Sequence, residues 1–203
     1  MKQQADDPLF KAIFGENWIK LPTVFKKHYQ NKPFSNDRIE AKGYLDIYCH
    51  PLIKIIVKPF YRWMGIAPMV TESQIPVTVK YYSLPHSASF HLQRDFYFKT
   101  GAPYHFCSQM VHKKGSELID VMRFNVGWRL NYIWQDNKVI LKHKGYALKL
   151  WGYFLPLPIT FLLGRINAYE YAIDVNSFGM QAEINHWLFG TLYRYSGQFK
   201  ILI

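Results

Sequence analysis

From residue 75 to the C-terminus the chain reads as strand after strand. Runs at 75–83, 87–98, 104–113, 117–126, 128–135, 138–150, 168–176, 180–189 and 191–202 are rich in aromatic and β-branched residues and mostly alternate apolar with polar positions, the period of a half-buried strand. Turn residues punctuate them: Lys99-Thr100-Gly101-Ala102-Pro103, Lys113-Lys114-Gly115 and Gln135-Asp136-Asn137 read as hairpin connections. An earlier run, 38–49, sets Ile39, Ala41, Gly43, Leu45 and Ile47 against Arg38, Glu40, Lys42, Tyr44 and Asp46 with the same period. A meander this long twists until it curls on itself. The expected fold is therefore mainly β within the α+β class: a strongly curved antiparallel sheet or open β-barrel with N-terminal helices. The 203 residues show no linker or internal repeat, so residues 1–203 form one domain.

The helical signals are few. Asp7-Pro8 caps a short helix at 8–14 with Leu9, Phe10, Ile13 and Phe14 on one face, and Gly15 ends it. Pro22 opens a second at 22–29, with Val24, Phe25 and Tyr29 on one side and Lys26 and Lys27 on the other. A third is predicted at 51–64, where Lys54, Lys58 and Arg62 recur every four residues opposite Ile55, Ile56, Phe60, Trp63 and Met64, with a kink at Pro59. Two readings of that helix stand: an interfacial membrane helix carrying Trp63 at the headgroup boundary, or a helix packed over the sheet with its cations solvated. Residues 150–164 contain no charge and carry Pro156 and Pro158, which disfavour regular structure. A connection so apolar must be covered by the sheet, by a ligand or by lipid.

Composition excludes several classes. Apolar residues make up 49% and aromatic ones 18%, which suits a packed core and ligand-lined interiors and excludes a disordered chain. The net charge of +11 is spread as +5 over residues 1–70 and +6 over 71–203, with no basic run or helix-turn-helix pattern, so nucleic acid is disfavoured as a partner. Two cysteines, Cys49 and Cys107, are too few for a disulfide framework. The N-terminus lacks the apolar stretch of a signal peptide, and no apolar run reaches the roughly 18 residues of a spanning helix. The expected location is the cytoplasm, with attachment to a membrane surface as the variant. Eight histidines fall in no zinc spacing, although His91 and His105 are candidates to face each other across a hairpin; glycine-rich phosphate loops and a Gly-x-Ser-x-Gly elbow are absent. No metal and no cofactor are expected, and an enzyme is the lesser reading.

The candidate site centres on Arg94. The run 87–98 puts Phe90, Leu92, Phe96 and Phe98 on one face with Arg94 among them, and a buried cation needs a partner or a polar pocket. The following run sends Tyr104, Phe106, Ser108 and Met110 to one side, within reach of Arg94 across the hairpin. Glu117, Asp120 and Glu170 are the acids that can pair with it, and a structural ion pair competes with a clamp on a ligand carboxylate or phosphate. The alternation of 117–126 leaves its inward face undecided, with solvent the expected place for Glu117 and Asp120.

Several spaced elements carry a resemblance: Leu21-Pro22 before a basic helix with His28, Arg94-Asp95-Phe96, Phe106-Cys107-Ser108, Gly127, Gly145, Leu155-Pro156-Leu157-Pro158, Glu170, and Tyr195-Ser196-Gly197 with Phe199. In their order and spacing, over about residues 9–202, the chain resembles a bacterial family of unknown function, domain of unknown function 4166. The resemblance implies a stand-alone or fused bacterial module, some relatives being joined to a dehydrogenase-like domain. It implies no activity, cofactor or catalytic residue. Arg94, Ser108, Glu170 and Tyr195 fall on the family's polar landmarks, whereas His186-Trp187-Leu188-Phe189-Gly190 stands where a His-Pro element is expected.

Taken together these signals point to a carrier or sensor for a lipid-like or amphipathic molecule with an acidic head. Arg94 holds the head with Ser108, Glu170 and Tyr195 beside it; Phe96, Phe106 and Trp128, with Phe98 and Trp134, line the apolar part. The alternatives are a peripheral membrane protein using Lys54, Lys58, Arg62 and Trp63 with segment 150–164, and an enzyme with an Arg/Ser/Glu pocket. The expected partners are thus a hydrophobic or acidic small molecule and an anionic membrane surface; oligomeric state is open.

Overall fold

A computed structural model describes residues 6–51, 68 and 70–202. Its strands are β1 (Arg38–Cys49), β2 (Glu72–Tyr82), β3 (Phe90–Phe96), β4 (Tyr104–Lys114), β5 (Glu117–Val121), β6 (Val126–Gln135), β7 (Lys138–Leu150), β8 (Tyr153–Leu157), β9 (Arg165–Ala172), β10 (Ser177–His186) and β11 (Gly190–Leu202). Ten of them form one antiparallel ring: β1 to β7 in order, then β9, β10 and β11, which returns to β1. The seam pairs Glu40 with Leu202 through Cys49 with Tyr193. The sheet is therefore a closed barrel and not the open one expected. Closure leaves the ring without a free edge, and it joins the first and last strands of the chain, a pairing that local alternation does not reveal.

Strand β7 feeds two partners on one side. Its first part, Lys138–Lys142, pairs with β9, and its last part, Tyr146–Leu150, pairs with β8. The register shifts against β6 between Arg129 and Leu130, opposite Gly145, whose φ of 131° is open to glycine and strained for other residues. Segment 150–164, expected to lack regular structure, contains β8 and a one-turn helix, Thr160–Leu163. Pro156 is tolerated because β8 lies outside the ring, at an edge.

Alternation sets the interior. From β3, Phe90, Leu92, Arg94 and Phe96 face in, while His91, Gln93 and Asp95 lie on the outer side. Run 117–126 breaks at Met122, where Phe124 and Asn125 take left-handed φ values of 60° and 62°. Within it Leu118 and Asp120 point inward, so Asp120 is buried and not solvated as expected. Ile119 and Val121 form a small outer cluster with Ala147, covered by Val111 and by Phe154 of β8. His91 and His105 do not face each other: His91 pairs with Gln109, and His105 pairs with Asp95, whose Oδ1 lies 2.6 Å from its Nδ1.

One end of the ring is plugged by α1 (Leu9–Phe14) and α2 (Thr23–His28). Six residues are too few for an independent helix, so packing holds them. Phe10 sits 4.2 Å from Tyr29, 5.0 Å from Phe90 and 5.4 Å from Tyr132 between ring centroids, and Phe25 reaches Trp134 and Phe178. Phe10 and Phe25 are fully buried, each contributing roughly 2–3 kcal/mol by burial alone. At the other end lie the turns 97–103, 122–125, 151–164 and 187–189. The predicted helix 51–64, with Lys54, Lys58, Arg62 and Trp63, lies outside the described residues save for Pro51. Among the described residues no helix is long and apolar enough to cross a membrane.

Candidate functional site

The barrel encloses a narrow cavity of about 90 Å³ on the scale where one water centre needs roughly 10–15 Å³. Its walls are mostly apolar, with Leu92, Phe96, Phe106, Trp128 and Met180 prominent among them. His28 and Tyr29 close it at the plugged end, with Phe10 and Phe25 packed against the Tyr29 ring, and it extends toward Pro68, Ile184 and Tyr193 at the opposite end. The wall includes Arg94, Asp120, Glu170 and His28, together with Tyr29, Tyr81, Tyr132, Tyr193 and Tyr195. Burial raises the pKa of all five tyrosines, so they stay neutral hydrogen-bonding groups.

Arg94 is half-buried. Its Nη1 donates to Ser108 Oγ at 3.2 Å, and its guanidinium lies 4.9 Å over the Phe106 ring. No carboxylate of the described residues comes within the 4.0 Å of an ion pair with it. Of its five N–H donors one is thus engaged by a described side chain. Ser108 also stands close enough to Asp120 to favour its charged form. Burial raises the Asp120 carboxyl above the usual carboxylate range, with the Arg94 charge and Ser108 pulling it back, and its Oδ1 has no hydrogen-bond partner.

Glu170 faces the same space from β9. Tyr29 Oη donates to its Oε2 at 2.5 Å, while His28 Nδ1 stands 3.9 Å from the same oxygen. Burial pushes Glu170 up to about 7, against the Tyr29 hydrogen bond and the Arg94 charge, both of which favour the anion. Burial and the Arg94 charge push His28 down to about 3, so the His28–Glu170 approach is between a neutral imidazole and a carboxyl rather than an ion pair. His28 Nδ1 is left without a partner.

The raised carboxyl has a measurable consequence. Unfolded, Glu170 releases its proton near 4.5; folded, it keeps it to about 7. Its favourable contribution is complete below 4.5 and disappears as pH rises through 7, because burying the anion is costly. His28 acts oppositely, losing stability as pH falls from 6.5 toward 3. In denaturant titrations at pH about 5 and about 8, the stability of a Glu170→Gln variant relative to wild type should rise by on the order of 2 kcal/mol on going to the higher pH. A gap that does not move with pH rules this out.

Of the nine residues assigned from sequence to a ligand site, Arg94, Glu170, Tyr195, Phe96, Phe106 and Trp128 line this cavity, and Ser108 accepts from Arg94 without lining it. Two secondary candidates do not reach it: Trp134 packs at the plugged end against Phe25, and Phe98 stacks on Phe96 outside the lining. Glu117 is tied to Arg129 at 2.8 Å and does not pair with Arg94. Sequence reasoning missed His28, Tyr81, Tyr132 and Tyr193. For His28 the signal existed: it sits four residues after Val24 and three after Phe25, on the buried stripe of α2. Among the described residues no cluster of three metal-ligating side chains forms.

A family model described as Domain of unknown function (DUF4166) matches residues 21–199, most of the chain, from just before α2 to Phe199 near the end of β11. Among curated proteins none matches.

Proposed function

Since the chain belongs to the DUF4166 family, a domain family of unknown function, its role has to be argued from its own cavity, and we propose that the barrel binds an apolar small molecule with an anionic head held by Arg94. One observation carries this reading: an arginine set into an apolar cavity with, among the described residues, a single side-chain acceptor and no paired carboxylate. A guanidinium in such surroundings is costly unless an anion completes its hydrogen bonds, and a ligand carboxylate meets two of its donors side by side. Phe96, Phe106, Trp128 and Leu92 then cover the apolar body. Tyr195 offers a hydroxyl near the head, and Asp120 Oδ1 can accept from a donor on it. Closed barrels of this kind hold one small ligand among inward side chains.

Calorimetry with decanoate and decanol tests the reading, because the two share a chain and differ in the head. Decanoate should bind about tenfold or more tighter, the value of one charge-assisted contact. Its affinity should fall as pH rises through about 7, where Glu170 ionises beside it. Equal affinities for acid and alcohol would sink the proposal. Native mass spectrometry with organic extraction then gives the class of any co-purifying molecule.

A further inference from the structure

The end of the barrel opposite α1 and α2 carries large apolar side chains on its outside. Phe161 and Leu162 of the Thr160–Leu163 helix are 68% and 62% exposed, and Trp187 and Leu188 of the β10–β11 turn are 76% and 60% exposed. Trp187 Nε1 donates to the Phe161 carbonyl at 3.0 Å, so the two loops form one surface. The β7–β8 turn adds Trp151, 94% exposed, at the same end. Large side chains left in water in this number mark a surface that meets something apolar.

Charge identifies the partner. The turns 97–103, 122–125, 151–164 and 187–189 contain Lys99 and Arg123 and no Asp or Glu. Lys149 and Arg165 flank the apolar loop on either side. The plugged end, by contrast, carries Asp37, Asp136 and Asp174 among its cations. At the rim, Glu72 accepts a hydrogen bond from the Lys99 backbone N–H at 3.1 Å, while the turns themselves carry cations alone. Aromatic and aliphatic tips ringed mainly by cations fit an anionic bilayer: tryptophan rings settle at the headgroup boundary, aliphatic tips enter the acyl region, and cations meet lipid phosphates.

We propose that this end of the barrel docks on an anionic membrane surface, Phe161, Leu162, Trp187 and Leu188 inserting and Lys99, Arg123 and Arg165 contacting headgroups. The cavity extends toward this end, so docking turns it to face the bilayer. The proposal goes beyond the ligand reading and does not depend on Arg94.

The test is flotation with vesicles of phosphatidylcholine alone and of equal parts phosphatidylcholine and phosphatidylglycerol. Wild type should float with the anionic vesicles, with a blue shift in tryptophan emission, and release as salt rises from about 0.1 M to about 1 M. A Phe161→Ser/Leu188→Ser double variant, changed where side chains are exposed and expected to fold, should lose about tenfold or more in partitioning. Lys99→Gln/Arg123→Gln should lose about fivefold per charge on anionic vesicles alone. Arg94→Ala should float like wild type, which separates this surface from the ligand site. Equal flotation on both vesicle types, or no effect of the Phe161/Leu188 change, overturns the proposal. So does a concentration-dependent dimer that the same change abolishes while wild type leaves vesicles untouched.

Discussion

An Arg94→Ala variant should bind decanoate about a hundredfold more weakly than wild type while binding decanol within a factor of about three. Hydrogen bonds to a charged group are each worth roughly 1.5–3 kcal/mol, and here both partners are charged. The effect is head-specific because the apolar wall survives the change: Leu92, Phe96 and Trp128 keep their own barrel contacts. Arg94→Lys should be intermediate, keeping the charge and losing the planar fork that meets two carboxylate oxygens at once. Arg94 also holds down the pKa values of Asp120 and Glu170, so its removal should push both further up. The variant's stability should consequently fall more steeply between pH 5 and 8 than that of wild type, roughly a slope of one further bound proton at most. A folded Arg94→Ala variant with unchanged decanoate affinity defeats the ligand reading, whatever the vesicle experiment shows.

The convergence on Arg94 was legible because it rests on local chemistry. A strand with Phe90, Leu92 and Phe96 on one face has an inside, and Arg94 shares that parity. Ser108 follows from the hairpin, which places it next to the same row. Glu170 was one of three acids open as a partner and the family resemblance added weight to it, because β9 lies on the far wall and no local pattern connects it to β3. The Asp120 orientation was illegible for a different reason. Its strand is apolar on both faces, Leu118 inside and Ile119 and Val121 outside, since Phe154 covers the outer face. Alternation distinguishes faces when one side meets water, and here neither does. The N-terminal plug was legible as two amphipathic helices, whereas its place beneath the cavity depends on contacts such as Phe10 with Tyr132 that span most of the chain.

Barrel closure was the largest feature beyond local reading, and it depends on two glycines at the seam. A Cβ added at Gly197 would lie 1.9 Å from the Tyr44 carbonyl oxygen, and one at Gly43 would lie 1.9 Å from the Gln198 carbonyl oxygen. In both cases the obstacle is the backbone of the strand across the seam, which cannot rotate away as a side chain can. Gly197→Ala must therefore push β1 and β11 apart, disturbing the ladder from Glu40–Leu202 to Cys49–Tyr193. Overpacking costs roughly 1–3 kcal/mol, and each weakened ladder bond adds roughly 1 kcal/mol. A loss of about 4 kcal/mol, or about 12 °C in Tm for a domain of this size, is expected. Gly179→Ala is the internal comparison: its added Cβ would meet the end of the half-buried Tyr171 ring at 2.2 Å, a neighbour able to swing aside. Its cost should stay near 1 kcal/mol, the range of a relieved overpacking. The opened seam would also expose two unpaired strand edges, so the Gly197 variant should aggregate on heating where the Gly179 variant refolds. Similar melting temperatures for the two variants would show that the seam tolerates separation and that closure is held elsewhere in the ring.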